Sequence, residues 1–112
     1  MLPAARRLRR AAQFDATVRR GRAAAVDGLV LHLHNDGTTA PARVGFVVSR
    51  AVGPAVTRNR VRRQLRHLCA GQLPRLAAGS CLVVRARPSA AGRPSPGLAA
   101  ALDGALDRLV AP

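Results

Sequence analysis

The run Arg58-Asn59-Arg60-Val61-Arg62-Arg63-Gln64-Leu65-Arg66 places five arginines in nine residues. A guanidinium is always charged and offers a planar fork of N–H donors that matches phosphate oxygens in pairs. The same stretch keeps Val61, Leu65 and Leu68 at helical spacing, which an ordinary basic tail lacks. At 100° per residue those three fall within about 60° of one another, and Asn59, Arg62, Arg63 and Arg66 cluster within about 100° on the opposite side. Packing the apolar stripe against a sheet would turn the guanidinium groups into a fixed array, and a fixed array suits a polyanion of defined shape. Like charges at this spacing disfavour an isolated helix by roughly 0.2–0.5 kcal/mol per pair. No acid in the run relieves them, so a bound polyanion is the natural compensation. The plainer alternative is a solvated face that happens to be basic.

Chemistry by the polypeptide itself is a poor fit. A metal-independent protein ribonuclease needs a base, an acid and a cation around one phosphate. His32 and His34 share one side of an extended segment and His67 lies in the basic run, but Glu, Lys and Tyr are absent. The histidine pair reads as ordinary sheet side chains, because a metal between them would lack an acidic or thiol partner nearby. Asp103 and Asp107, with Arg108 beside them, read as a solvated helix face. Five scattered Asp do not suit a two-metal phosphodiesterase, which needs converging carboxylates. Cys69 and Cys81 fit no paired ligand spacing and read as small buried thiols in a reducing compartment. The expectation is therefore no catalytic residue and no metal site on the protein.

The chain has 112 residues, enough for one domain with a modest core. A hydrophobic fraction of 48% argues against a disordered basic protein. That core must be aliphatic, since Phe14 and Phe46 are the only aromatics. All 19 cationic residues are Arg and all five acids are Asp, for a formal charge of +14. Such a surface draws polyanions, and nucleic acid is the first partner to consider because phosphate contacts release counterions. A membrane surface comes second, yet no window approaches the roughly 18 apolar residues of a span. The basic N-terminus has no hydrophobic stretch and is not a secretory signal, though an Arg-rich, acid-poor start also resembles an organellar transit peptide. Cytoplasm is the simplest location.

The elements that must position these groups follow from periodicity. Residues 1–10 are expected to be flexible. A helix spans 11–20, with Phe14 and Val18 on one face and Gly21 at its end. Val26 to His34 reads as a strand, with Leu29, Leu31 and Leu33 on one side and Val30, His32 and His34 on the other. Asn35-Asp36-Gly37 begins a loop that runs to Pro41. Arg43 to Arg50 is a second strand burying Val44, Phe46 and Val48. Gly53-Pro54 breaks the chain, and Thr57 is the expected N-cap of a helix over 58–70. Cys81 to Arg87 forms a third strand, followed by a loop over 88–97. A closing helix then runs from Leu98 to Val110 through Leu98, Leu102, Leu106 and Leu109. The pattern is a layered α+β domain whose inter-strand helix implies a mixed sheet with a crossover.

The stretch Ser49-Arg50-Ala51-Val52-Gly53-Pro54-Ala55-Val56-Thr57-Arg58-Asn59-Arg60-Val61-Arg62-Arg63 resembles the signature of the bacterial ribonuclease P protein component. The likeness extends to Arg7-Leu8-Arg9-Arg10 with Phe14, to the apolar strand Cys81 to Arg85 and to the Leu-rich closing helix. Two departures matter. Pro54 stands where the family usually has Asn, and Val18 where a second aromatic is common; the first strand carries no aromatic. The resemblance implies one domain over 1–112: an α+β fold with a single-layer mixed four-stranded sheet packed with helices, and a left-handed βαβ crossover through the basic helix. It implies that Arg50, Arg58, Asn59, Arg60, Arg62, Arg63 and Arg66 face RNA. Phe14, extended by Arg85 and Arg87, would line a cleft for the 5′ leader of precursor tRNA. Read from the residues alone, Phe14 serves equally as core, Phe46 reads as core, and Arg85 and Arg87 as a solvated edge. The implied function is that of the protein subunit of ribonuclease P, an endoribonuclease that matures tRNA 5′ ends, with Mg²⁺ held mainly by the RNA subunit that performs the hydrolysis. Its partners would be that RNA and precursor tRNA, with no membrane and no obligate protein partner. The alternative is a ribosomal or general RNA-binding protein without a role in tRNA cleavage. A DNA-binding regulator ranks third, because Asn59 is the one good base-edge reader and no helix-turn-helix pair precedes it.

Overall fold

Alternating apolar residues in three segments and 3.6-residue periodicity in two others dictate a sheet covered by helices, and the computed structural model, which describes residues 2–110, has that form. Helix α1 spans Ala11–Arg20, strand β1 Arg22–Val26, β2 Leu29–Asn35 and β3 Arg43–Val48. Helix α2 spans Ala55–Ala70, β4 Ser80–Ala86 and α3 Ser95–Val110. The sheet order is β1-β2-β4-β3. β1 with β2 and β2 with β4 are antiparallel, whereas β3 and β4 run parallel, so α2 is the crossover between them. Fold class and four-stranded mixed sheet are as expected.

One face of the sheet carries nearly all the core. Leu29, Leu31, Val44, Leu82 and Val84 pack there against Val61, Leu65 and Cys69 of α2 and Leu98, Leu102 and Leu106 of α3. The opposite face holds a small cluster of Leu8, Cys81 and Val83 with Phe14 from α1.

Several boundaries differ from expectation for identifiable reasons. The strand foreseen over 26–34 is a hairpin, because Asp27-Gly28 is a two-residue turn with Gly28 in the left-handed region at φ 88°. Arg22–Val26 lacks the β-branched run that marks a strand, yet its backbone pairs with β2 and its small Ala24 lets α3 approach. On α1 the buried partner of Phe14 is Thr17, whose hydroxyl donates to the Gln13 carbonyl at 2.8 Å, while Val18 is 38% exposed. Helix α2 starts two turn positions before Thr57, at Ala55, with Pro54 at the N-cap at φ −65°. Proline's fixed φ suits that entry and no side-chain cap forms. Cys69 takes the third fully buried position of the stripe, and Leu68 is half-buried beside it. The expected loop over 88–97 contains a 3₁₀ turn at Pro88–Gly92 and the first turn of α3.

The N-terminal segment, expected to be flexible, lies along the outer edge of β3. The Leu8 N–H donates to the Val44 carbonyl at 2.9 Å, Arg6 Nε donates to the Ala42 carbonyl at 2.7 Å, and Leu2 is fully buried. Met1 lies outside the described residues. Leu2 and Leu8 supply the apolar surface that offsets ordering this strap.

His32 lies on the α1 face of β2, only 8% exposed, with neither ring nitrogen hydrogen-bonded. Burial, and then the Arg85 cation, hold its pKa below the ordinary 6.5. The folded state therefore favours the neutral ring, and the unfolded chain takes up the proton first on acidification. Stability contributed by the neutral ring is complete above about pH 6.5 and is lost as pH falls through the folded value. His32→Leu is expected to flatten the decline in Tm between about pH 7 and pH 5 relative to the parent, measured by thermal melts across that range. Leu65→Ala should cost about 2–5 kcal/mol. The change should appear in denaturant titration as a lower midpoint at constant slope.

Candidate nucleic-acid interface

With Val61 and Leu65 fully buried, the opposite side of α2 is held outward. Asn59, Arg62, Arg63 and Arg66, joined by His67, line one open concavity of about 480 Å³. Arg62 Nη1 donates to Asn59 Oδ1 at 3.2 Å, so the amide orients one guanidinium. The other two arginines of the motif sit on the flanks. Arg58 Nε donates to the Gly53 carbonyl at 3.2 Å, bracing the entry to the helix. Arg60 Nη2 donates to the Ala91 carbonyl at 2.6 Å, and Gln64 Nε2 donates to Ser95 Oγ at 3.1 Å. These two contacts tie α2 to the 3₁₀ turn Pro88–Gly92 and to the first residue of α3. Arg50 is exposed in the 3₁₀ turn Arg50–Val52 and lines neither this concavity nor the one beside Phe14.

The carboxylates are placed elsewhere. Asp36 pairs with Arg43 at 3.0 Å, Asp27 pairs with Arg93, and Asp103 (2.8 Å) and Asp107 both close on Arg75. The last two stay on the solvated face of α3, as expected, and also clamp the α2–β4 connection, while Arg108 donates to the Ala25 carbonyl at 3.2 Å. Exposed pairs of this kind contribute little stability each. Their consequence is positional: among the described residues no carboxylate pairs with an arginine of α2.

On the other side of the sheet, the Phe14 ring lies against Gly45. A Cβ at position 45 would collide with the ring edge and touch Leu8, so this glycine makes room for the aromatic. A small cavity of about 130 Å³ opens there, with Phe14, Val44, Gly45 and Phe46 among the residues lining it and Arg7, Arg62 and Arg66 beside them. Phe46 thus packs on the core and also reaches the surface. Burial first, then Arg7 and Arg62, push the Arg66 pKa down, as expected where three cations converge. The aromatic site and the basic helix are contiguous. Arg85 is exposed beside His32, and Arg87 lies just past β4 with its N–H bonded to the Gly28 carbonyl at 2.9 Å. Neither lines the cavity beside Phe14.

Gly45 was not singled out from the sequence, while His67 was weighed only for chemistry and Arg7 only as part of the family likeness. The isolated glycine within an apolar strand was the readable signal for a close approach. For Arg7 the one signal was its place in the Arg7-Leu8-Arg9-Arg10 likeness, which does not separate it from the arginines beside it. Both cysteines are free and buried. Burial pushes the Cys69 thiol up to about 12, and burial followed by Asp36 raises Cys81, so both stay protonated. Among the described residues, no group of three or more His, Cys or Asp able to hold a metal comes together, and no helix is long and apolar enough to cross a membrane.

The sequence profile of the family described as ribonuclease P matches residues 2–110. The ribonuclease P protein component of Salinispora tropica is 48% identical, over 100% of this chain and 96% of that protein. The component of Streptomyces bikiniensis is 50% identical, over 98% of this chain and 96% of its own length. Among solved structures, the RNase P protein of Staphylococcus aureus superposes with a TM-score of 0.84 at 25% identity, covering 93% of this chain and 94% of that one. The RNase P protein of Thermotoga maritima shares the fold at 24% identity, with a TM-score of 0.79 over 91% of this chain and 96% of its own. A profile match from strap to closing helix, with relatives about half identical over their whole length, means that this chain belongs to the ribonuclease P protein family.

Proposed function

We propose that this chain assists a tRNA-processing endoribonuclease by seating the α2 face on the catalytic RNA and holding the 5′ leader of precursor tRNA near Phe14, while RNA carries out the hydrolysis. The observation that carries this reading is the set of α2 arginines fixed by a buried stripe and left without carboxylate partners among the described residues. A polyanion converts their mutual repulsion into attraction. In this reading Asn59, Arg62, Arg63 and Arg66 meet RNA directly. Arg58, Arg60 and Arg50 extend the positive surface at its margins, and Arg85 and Arg87 extend it along β4.

The protein's share is electrostatic. It lowers repulsion between two RNAs and orients the single-stranded leader over an aromatic ring, where stacking contributes about 1–3 kcal/mol per base. Mg²⁺ would supply Lewis-acid chemistry from sites on the RNA. The protein has a poor donor set for that ion, since four of its five aspartates are engaged by arginines. The cytoplasm, where thiols stay reduced, suits the two free cysteines.

Mixing the protein with a ribonuclease P RNA and precursor tRNA at low Mg²⁺ should give cleavage that neither component gives alone. If about six phosphates are neutralised, affinity for the RNA should fall with a log–log salt slope near −5. Replacing Arg62, Arg63 and Arg66 together with Ala should weaken RNA binding by well over tenfold at moderate salt, read by titration. Phe14→Ala should spare binding to the catalytic RNA and reduce the preference for precursor over mature tRNA. Equal losses on both substrates would assign Phe14 to packing alone.

A further inference from the structure

We propose that Arg7, Arg62 and Arg66 form a three-armed clamp for a single RNA phosphate, at the seam between the basic helix and the aromatic floor of Phe14 and Phe46. The inference rests on the reading that α2 faces RNA, and it adds a residue from the N-terminal strap.

Two elements deliver these arms. Arg62 and Arg66 lie four apart on α2, one turn above the other. Arg7 comes from the strap, where its pairing with Val44 and the Leu8 N–H bond to the Val44 carbonyl fix its backbone against β3. Its side chain is also held, since Nε donates to the Leu2 carbonyl at 3.0 Å. That bond leaves the Nη groups, and among the described residues neither these nor the Arg66 guanidinium makes a protein hydrogen bond. Arg7, Arg62 and Arg66 all line one cavity of about 130 Å³ with no carboxylate residue among its lining. That volume is several times the roughly 30 Å³ share of one water and below the 300 Å³ of small-molecule sites, so it suits one compact anionic group. Partial burial and the nearby Arg7 and Arg62 cations lower the Arg66 pKa, consistent with a spot where an anion would be favoured.

A shared phosphate has a distinctive signature. If one phosphate is held by all three arms, removing Arg7, Arg62 and Arg66 together should flatten the log–log salt slope by only about 0.7–0.9. Three separate phosphates would flatten it by about 2.1–2.7. The double-mutant cycle of Arg7→Ala and Arg66→Gln should likewise be non-additive in affinity. Arg7→Lys, which keeps the charge and loses the fork, should recover only part of the Arg7→Ala loss and serves as the second variant should the strap detach.

Two arms locate the source of the phosphate. Coupling seen in binding to the ribonuclease P RNA alone assigns it to that RNA. Coupling seen only in the preference of the holoenzyme for precursor over mature tRNA assigns it to the leader. Either result supports the clamp. Additive losses in both arms with a slope change above about 2 overturn it. A protein that fails to promote tRNA cleavage yet keeps the non-additive coupling on RNA would sink the functional reading and leave the clamp standing.

Discussion

The structure depends on a contest along α2 between burial of one stripe and repulsion along the other. Each like-charge pair costs roughly 0.2–0.5 kcal/mol. Fully burying an aliphatic side chain contributes about 1.5–3 kcal/mol. Val61 and Leu65 both reach complete burial, so burial wins and the helix stays formed with its cations uncompensated. Four of the five acids that could have relieved it are engaged at Arg43, Arg75 and Arg93, on connections that hold the fold together. Charge is thereby sorted by task. Paired arginines fasten loops, and unpaired ones form a surface for an anion that the chain itself does not supply.

That sorting explains which parts were legible in the sequence. Periodicity of Val61, Leu65 and Leu68 marks a helix whatever surrounds it, and the alternation of Val44, Phe46 and Val48 marks a strand in the same way. The Ala-rich β1 carries no such mark, because its place is set by pairing with β2 and by the closeness of α3, which are tertiary facts. The start of α2 was misplaced for a similar reason. Thr57 has the chemistry of a cap, but the Pro54 backbone already has the entry conformation and the helix begins before the hydroxyl is needed. The strap over residues 2–8 hid in its charge. Arginines suggested solvation, and the two leucines among them, Leu2 and Leu8, were the residues that decided the outcome.

The same limit applies to the interface. The motif arginines form one cluster in sequence, yet the fold divides them: Asn59, Arg62, Arg63 and Arg66 share a concavity, whereas Arg58 and Arg60 spend donors on backbone carbonyls at its margins. A helical wheel contains the first grouping. It could not contain Arg7 or the Gly45–Phe14 contact, which arise only when strap, strand and α1 are brought together.

The two faces of the sheet are unequal, and that inequality bears on how the chain meets RNA. The α2–α3 face carries a continuous aliphatic core, while the α1 face is held by little more than Leu8, Phe14, Cys81 and Val83, with His32 buried and unbonded among them. Regions with few buried apolar contacts open at lower free energy than the rest of a domain. The α1 face is also where Phe14 lies. Under the function proposed above, an interface built there would adjust to an irregular single strand, whereas α2, anchored on the deep core, would present a rigid array to folded RNA. Division of the molecule into a stiff face and a yielding one thus follows from where the aliphatic residues fall along the chain, before any partner is considered.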